Sequence, residues 1–163
     1  MLLCTTTLLM ACSSPTQQVI VSPELNIGSS NAYQLKQAQL LMRDLRTSPH
    51  IVQILRTGEA TKLYSPQQAI IETVEISLTK ALKANGLRFN TPAANQIEII
   101  IDNALVSVKQ AMLKYSASNL MNIRVVIHNS KGTLSKAFKV TGTSNGPLKA
   151  DLAVLERDFN QQL

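Results

Sequence analysis

The sequence predicts an α+β (mixed α/β) domain: an antiparallel sheet ending in a three-stranded meander, packed by a capped helix near 66–85 and a C-terminal helix near 147–163. Three observations predict it. Apolar residues alternate with period two over Ile97–Ile101, Ile123–Ile127 and Leu134–Thr143, with turn-forming residues between the last two runs. A run after Ser65 recurs at helical spacing between a marked start and a marked stop. The 163 residues are 45% apolar but only 4% aromatic, with no Trp, which suits one domain with an aliphatic core.

The chain opens on an uncharged apolar or hydroxylic segment, Met1–Ala11, and its first charged residue is Glu24. A membrane-spanning helix needs about 20 apolar residues, so this segment reads as the hydrophobic part of a secretory signal. Leu9-Met10-Ala11-Cys12 places a small residue before a cysteine, the arrangement in which a signal peptidase reaches the bond and the thiol is acylated. Cys12 is therefore the expected lipidation site and membrane anchor. Ser13, where Asp would favour the inner membrane, is the expected sorting residue for the outer one. No Lys or Arg precedes Lys36, so a basic segment is expected upstream of Met1. The division that follows is 1–11 signal, 12–18 lipidated cysteine and tether, and 19–163 one domain. The polar run Ser13 to Gln18 supports a tether over the competing reading, a buried Cys12 in a cytosolic domain. With Cys4 lost and Cys12 acylated, the mature chain has no disulfide.

Gln18 to Val21 has strand composition, interrupted by Pro23, and Leu25 and Ile27 extend it towards Gly28–Asn31. Over Tyr33–Arg46 two periods compete: Leu35, Ala38, Leu41 and Leu45 fit a helix face, while Ala38, Leu40 and Met42 alternate as a strand. Asp44, Arg46 and Thr47 read as a turn in which the Asp accepts backbone N–H bonds and the Arg pairs with it. Ile51–Leu55 is a strand, Thr57-Gly58 a turn, and Ala60–Tyr64 an extended approach. Ser65 then reads as an N-cap, Pro66 as the first helical residue and Gln68 as the other half of a capping box. Ile70, Ile71, Val74, Leu78, Ala81 and Leu82 share one face, and Asn85-Gly86 stops the helix.

In the meander the apolar set is Ile97, Ile99 and Ile101, then changes parity to Ala104, Val106 and Val108, which predicts a β-bulge. Ile123, Val125 and Ile127 form the next strand, Asn129–Gly132 the hairpin turn, and Leu134–Thr143 the return. Gly146 and Pro147 are read as opening the last helix, with Leu148, Leu152, Leu155, Phe159 and Leu163 on one face.

Charge is the most informative part of the composition. The net charge is +6, and Asn103–Ala150 contains no Asp or Glu but carries Lys109, Lys114, Arg124, Lys131, Lys136, Lys139 and Lys149. A solvated sheet with edge-guarding lysines is one reading. The other is a surface for an anionic envelope polymer or protein, with Lys109, Lys114, Arg124, Lys136 and Lys139 as its face. A pI of 9.6 also admits a cytosolic nucleic-acid binder, but stacking aromatics are scarce. No catalytic residue, metal ligand or cofactor site is read. His50 and His128 have no Cys, Asp or Glu at ligand spacing, no Gly-rich phosphate loop exists, and no serine sits in a nucleophile-elbow sequence. An envelope hydrolase is left only as a site assembled in three dimensions.

Cys12-Ser13, Val19-Ile20-Val21-Ser22-Pro23, Asp44-Leu45-Arg46-Thr47, Gln96–Ile101, Val108-Lys109-Gln110 and Tyr115, in that order and spacing, resemble the YajG family of outer-membrane lipoproteins. Ala111 departs from the family's Gly after Gln110. The resemblance implies that Met42 lies in a strand, and that the fold is similar to the N-terminal domain of TolB. It implies no biochemical activity. The sequence reading is thus a lipid-anchored periplasmic lipoprotein, a binding or accessory module and not an enzyme, facing the periplasm from the outer membrane, with no cofactor and no nucleic-acid partner.

Overall fold

The computed structural model describes residues 18–163 except 24, 26, 27, 29 and 162, so the signal segment, Cys12 and Ser13 lie outside the described residues. Among the described residues, seven strands and two helices follow in the order β1 (Gln37–Asp44), β2 (Val52–Arg56), β3 (Lys62–Tyr64), α1 (Ile70–Ala84), β4 (Arg88–Phe89), β5 (Gln96–Gln110), β6 (Lys114–Asn129), β7 (Gly132–Pro147) and α2 (Leu152–Asn160). The strands form one sheet, curled into a half-barrel.

The long β5 is the axis of the fold. On one side it pairs antiparallel with β6 along its whole length, and β6 pairs likewise with β7, which is the expected meander. On its other side β5 is shared: Gln96–Ile101 pairs with β1, and Val106–Gln110 pairs with β2. Both pairings are parallel, so the sheet is mixed where antiparallel order is expected from sequence. The crossover through α1 is the reason, since it returns the chain to enter β5 in the direction of β1 and β2. The register of β5 shifts between Ile101 and Asn103, placing a bulge at the expected change of parity. At that point β1 leaves the edge and β2 takes its place.

β1 resolves the contested Tyr33–Arg46 stretch. Leu35 has φ +66°, which a right-handed helix cannot accept, and from Gln37 onward the backbone groups are taken by β4 and β5. Met42 is in a strand and packs on the core.

Two helix starts are corrected. α1 begins at Ile70 with Ala69 as an N-cap that makes no side-chain bond. Ser65 does not cap it because residues 65–67 pair with the N-terminal segment: Val19 N–H donates to Ser65 O (3.0 Å) and Gln67 N–H to Val19 O (2.8 Å). The local capping signal loses to this long-range pairing. The helix ends as expected, with Leu87 N–H donating to Leu82 O, Gly86 N–H to Lys83 O, and Gly86 at φ +88°. α2 begins at Leu152, where Asp151 accepts the Ala153 N–H at 3.0 Å. Gly146 and Pro147 instead finish β7, opposite Tyr115 and Lys114. A Cβ at Gly146 would lie 2.5 Å from the Tyr115 ring, so the glycine serves side-chain packing across the hairpin.

Both helices lie over one face of the sheet. Ile101, Ala104, Val106 and Val108 of β5, with Ala117 and Met121 of β6, meet Ile70 and Val74 of α1 and Leu155 and Phe159 of α2. Val19 and Val21 complete this aliphatic core. Leu148, expected on the buried face of α2, is outside it with φ +63° and is largely exposed.

Candidate functional site

Partners across β5, β6 and β7 share a face, so the register sorts the basic residues. Lys109 pairs with Ser116, Lys114 with Pro147, and Lys139 with Asn122; these and Arg124 lie on the helix-free face. Lys136 pairs with Val125 on the opposite, helix-bearing face, so the five do not form one surface. Its ammonium sits 5.0 Å from the centre of the Phe138 ring, a cation–π contact. Arg124 is engaged as well. It spans the bulge to Asp102 with Nε–Oδ2 at 2.6 Å and Nη2–Oδ1 at 2.7 Å. Those hydrogen bonds, aided by the charge and opposed by desolvation, hold the Asp102 carboxyl below its ordinary range and raise the guanidinium. Arg124 therefore fastens the bulge, and Lys109, Lys114 and Lys139 are the predicted cations left on that face.

Lys109 and Lys114 converge on a cleft of about 1140 Å³ at the end of the sheet where β2, the β5–β6 turn and the end of β7 meet. Leu55, Tyr115 and Gly146 form much of its wall, and Arg56 and Glu59 stand at one side. Glu59 is held by Arg56 through bonds of 2.8 and 2.9 Å, which keep its carboxyl below the ordinary range.

Gln110, singled out in the sequence only through the family resemblance, organises this end. The Gln110 side chain is buried, and its amide donates to Ala111 O (2.7 Å), Leu148 O (2.9 Å) and, at 3.3 Å, Lys114 O, while its carbonyl accepts the Ala150 N–H (2.9 Å). It ties the β5–β6 turn to the segment after β7. Its position on the buried parity of β5, among aliphatics, is the sequence signal that marks it. Ala111 N–H donates to Lys114 O (2.8 Å) without a left-handed residue in the turn, so glycine is not required there.

Asp44 accepts the Arg46 backbone N–H at 3.1 Å and its Nε and Nη2 at 2.9 and 2.7 Å. The turn sits where β1 gives way to β2. The Arg46 side chain is almost wholly covered and its Nη1 is buried without a partner, whereas Asp44 stays partly exposed.

His50 Nδ1 lies 2.9 Å from Ser65 Oγ, a histidine–hydroxyl contact, but neither residue lines the cleft. His128 Nδ1 lies 2.8 Å from Thr133 Oγ1 in the distal hairpin. Among the described residues no three His, Cys, Asp or Glu come together to hold a metal ion. No helix among them is long and apolar enough to cross a membrane.

A family model described as uncharacterised lipoprotein (Lipoprotein_16) matches residues 23–163. The chain belongs to this lipoprotein family. Membership fits a membrane-anchored location and specifies no activity. No curated protein matches the chain. Among solved structures, the Lipoprotein_16 domain is similar to protein XCC0632 of Xanthomonas campestris, a DUF330 protein, at 17% identity over 88% of this chain and 87% of that one, with a TM-score of 0.59. That likeness is one of fold. A second, an uncharacterised protein at 5% identity over 88% and 93% of the two chains, has a TM-score of 0.43 and adds nothing to it.

Proposed function

We propose that this chain is a lipid-anchored envelope binding or accessory module without catalytic activity, held to the outer membrane through acylated Cys12 and facing the periplasm. The observation that carries the binding role is the absence of acid from Asn103–Ala150 against seven cations. Its nearest acid, Asp102, is consumed by Arg124, and Lys109 and Lys114 meet at the cleft. The partner in this reading is an anionic envelope polymer or protein. Ser13 supports sorting to the outer membrane, the residues shared with the YajG family support that narrower placement, and the likeness to the N-terminal domain of TolB is an analogy of fold.

Replacing Lys109, Lys114 and Lys139, the cations that share the helix-free face, together with Gln in the anchored protein is expected to weaken its salt-sensitive association with cell-wall and envelope-partner fractions. Association that stays unchanged and insensitive to salt would contradict it. The hydrolase alternative rests on the Ser65–His50 contact alone, and a nucleic-acid role on net charge alone. Ser65→Ala should alter no hydrolytic activity of the purified protein towards envelope substrates.

A further inference from the structure

The β5–β6 turn presents Met112 at 93% exposure and Leu113 at 72%, and the neighbouring Leu148 at 65%. Three large apolar side chains held in water do nothing for folding. The backbone holding them is nevertheless built with care. Leu148 N–H donates to Leu113 O at 2.8 Å, and the buried Gln110 amide bonds both segments from below. The projection is therefore a firm apolar tip made of two loops.

Its surroundings are basic. Lys109, Lys114 and Lys149 are exposed and lie within three residues of the tip along the chain, in the acid-free stretch, with Lys149 also near enough to Glu59 for its charge to help lower that carboxyl. The acids nearest across the cleft and along the chain are engaged, Glu59 with Arg56 and Asp151 as the cap of α2. An apolar tip ringed by lysines matches one environment in charge and polarity together: the boundary between anionic headgroups and acyl chains. Cys12 is seven residues before Val19, at most about 25 Å of extended chain, so an acyl anchor keeps the domain within reach of the bilayer.

We propose that Met112, Leu113 and Leu148 form a second attachment point that dips into the anionic bilayer carrying the lipid anchor, with Lys109, Lys114 and Lys149 on the headgroups. This rests on the anchored reading above and names a lipid surface as the partner of the cleft end. Docked in this way, the anchored domain is oriented. The β6–β7 turn, at the other end of a 16-residue strand, stands about 50 Å away from the tip.

The test uses the full-length protein isolated from membranes and placed in phosphatidylglycerol-containing vesicles, with an environment-sensitive fluorophore on Met112→Cys or Ser130→Cys. The label at 112 is expected to be quenched by brominated phosphatidylglycerol and shielded from aqueous iodide, and the label at 130 to behave oppositely. Replacing Lys109, Lys114 and Lys149 with Gln is expected to weaken tip docking about a hundredfold, at about fivefold per lysine. A label at 112 that stays open to iodide overturns the proposal while leaving the anchor intact. So does a label hidden from both quenchers, which would place protein over the tip. Equal quenching in phosphatidylcholine vesicles overturns the role of the lysines. Cys4→Ser protein with no added cysteine that itself takes up the fluorophore has an unacylated Cys12, and that result overturns the anchored reading together with this one.

Discussion

β5 and β7 are strands of nearly equal length with similar alternation, and they end in opposite environments. β5 buries Ile101, Ala104, Val106 and Val108 beneath two helices. β7 is exposed at every residue from 132 to 139, including Leu134 at 64% and Phe138 at 43%. The difference lies in what covers each strand. β7 pairs with β6 alone and is an outer edge that gives the core Val140, and Lys131, Lys136 and Lys139 place charge along it. One part of the molecule is covered and holds the fold together, and the other is left bare.

The sharpest way to break that division is to damage the covered half. Phe159 is 2% exposed and fills the space between α2 and the sheet, so Phe159→Ala should cost about 3–5 kcal/mol, read as a lower urea midpoint with an unchanged slope. A loss below about 1 kcal/mol would mean that α2 is not part of the core. Gln110→Leu comes next. It strands the Leu148 carbonyl and the Ala150 N–H, and should cost about 1–3 kcal/mol while speeding amide exchange at Leu148 and Ala150.

The Asp44–Arg46 turn sharpens the comparison at the point where β1 yields to β2. Arg46's side-chain hydrogen bonds lower the Asp44 carboxyl below its ordinary 3.8, partial burial opposes them, and the backbone bond and the Arg46 charge add to the lowering. A depressed carboxyl stabilises the fold above its unfolded value and loses that contribution as pH falls through the folded one. Asp44→Asn should therefore be less stable than wild type at neutral pH, and the gap should close below 3.8. Denaturant titrations across that range check it, and a gap independent of pH would remove the ion pair from the account. The smallest effect belongs to the bare edge: Lys136→Gln with Lys139→Gln should shift stability by no more than about 0.5 kcal/mol in the same assay.

What the sequence made legible divides along local and long-range lines. The bulge near Asp102, the Gly86 stop and the Asp44–Arg46 turn were readable because each is written within a few residues. The helix starts were not. Ser65 and Pro66 carry a strong local cap, but Val19, more than forty residues away, takes the Ser65 carbonyl and the Gln67 N–H. Gly146-Pro147 reads as a helix opening until Tyr115 is seen lying across it. Sharing of one edge of β5 between two parallel strands leaves no local mark at all. At the candidate site, the charge bias was visible in the chain, whereas only the register shows that Lys136 faces away from Lys109 and that Arg124 is committed to Asp102.

The most direct test of the central claim, an anchored envelope module, is the intact mass of the protein purified from membranes, wild type beside Cys12→Ala. A wild-type mass matching cleavage before Cys12 plus acyl chains, absent from the variant, is the predicted result. An unmodified chain beginning at Met1 in the soluble fraction would contradict it and return the basic surface to a cytosolic setting.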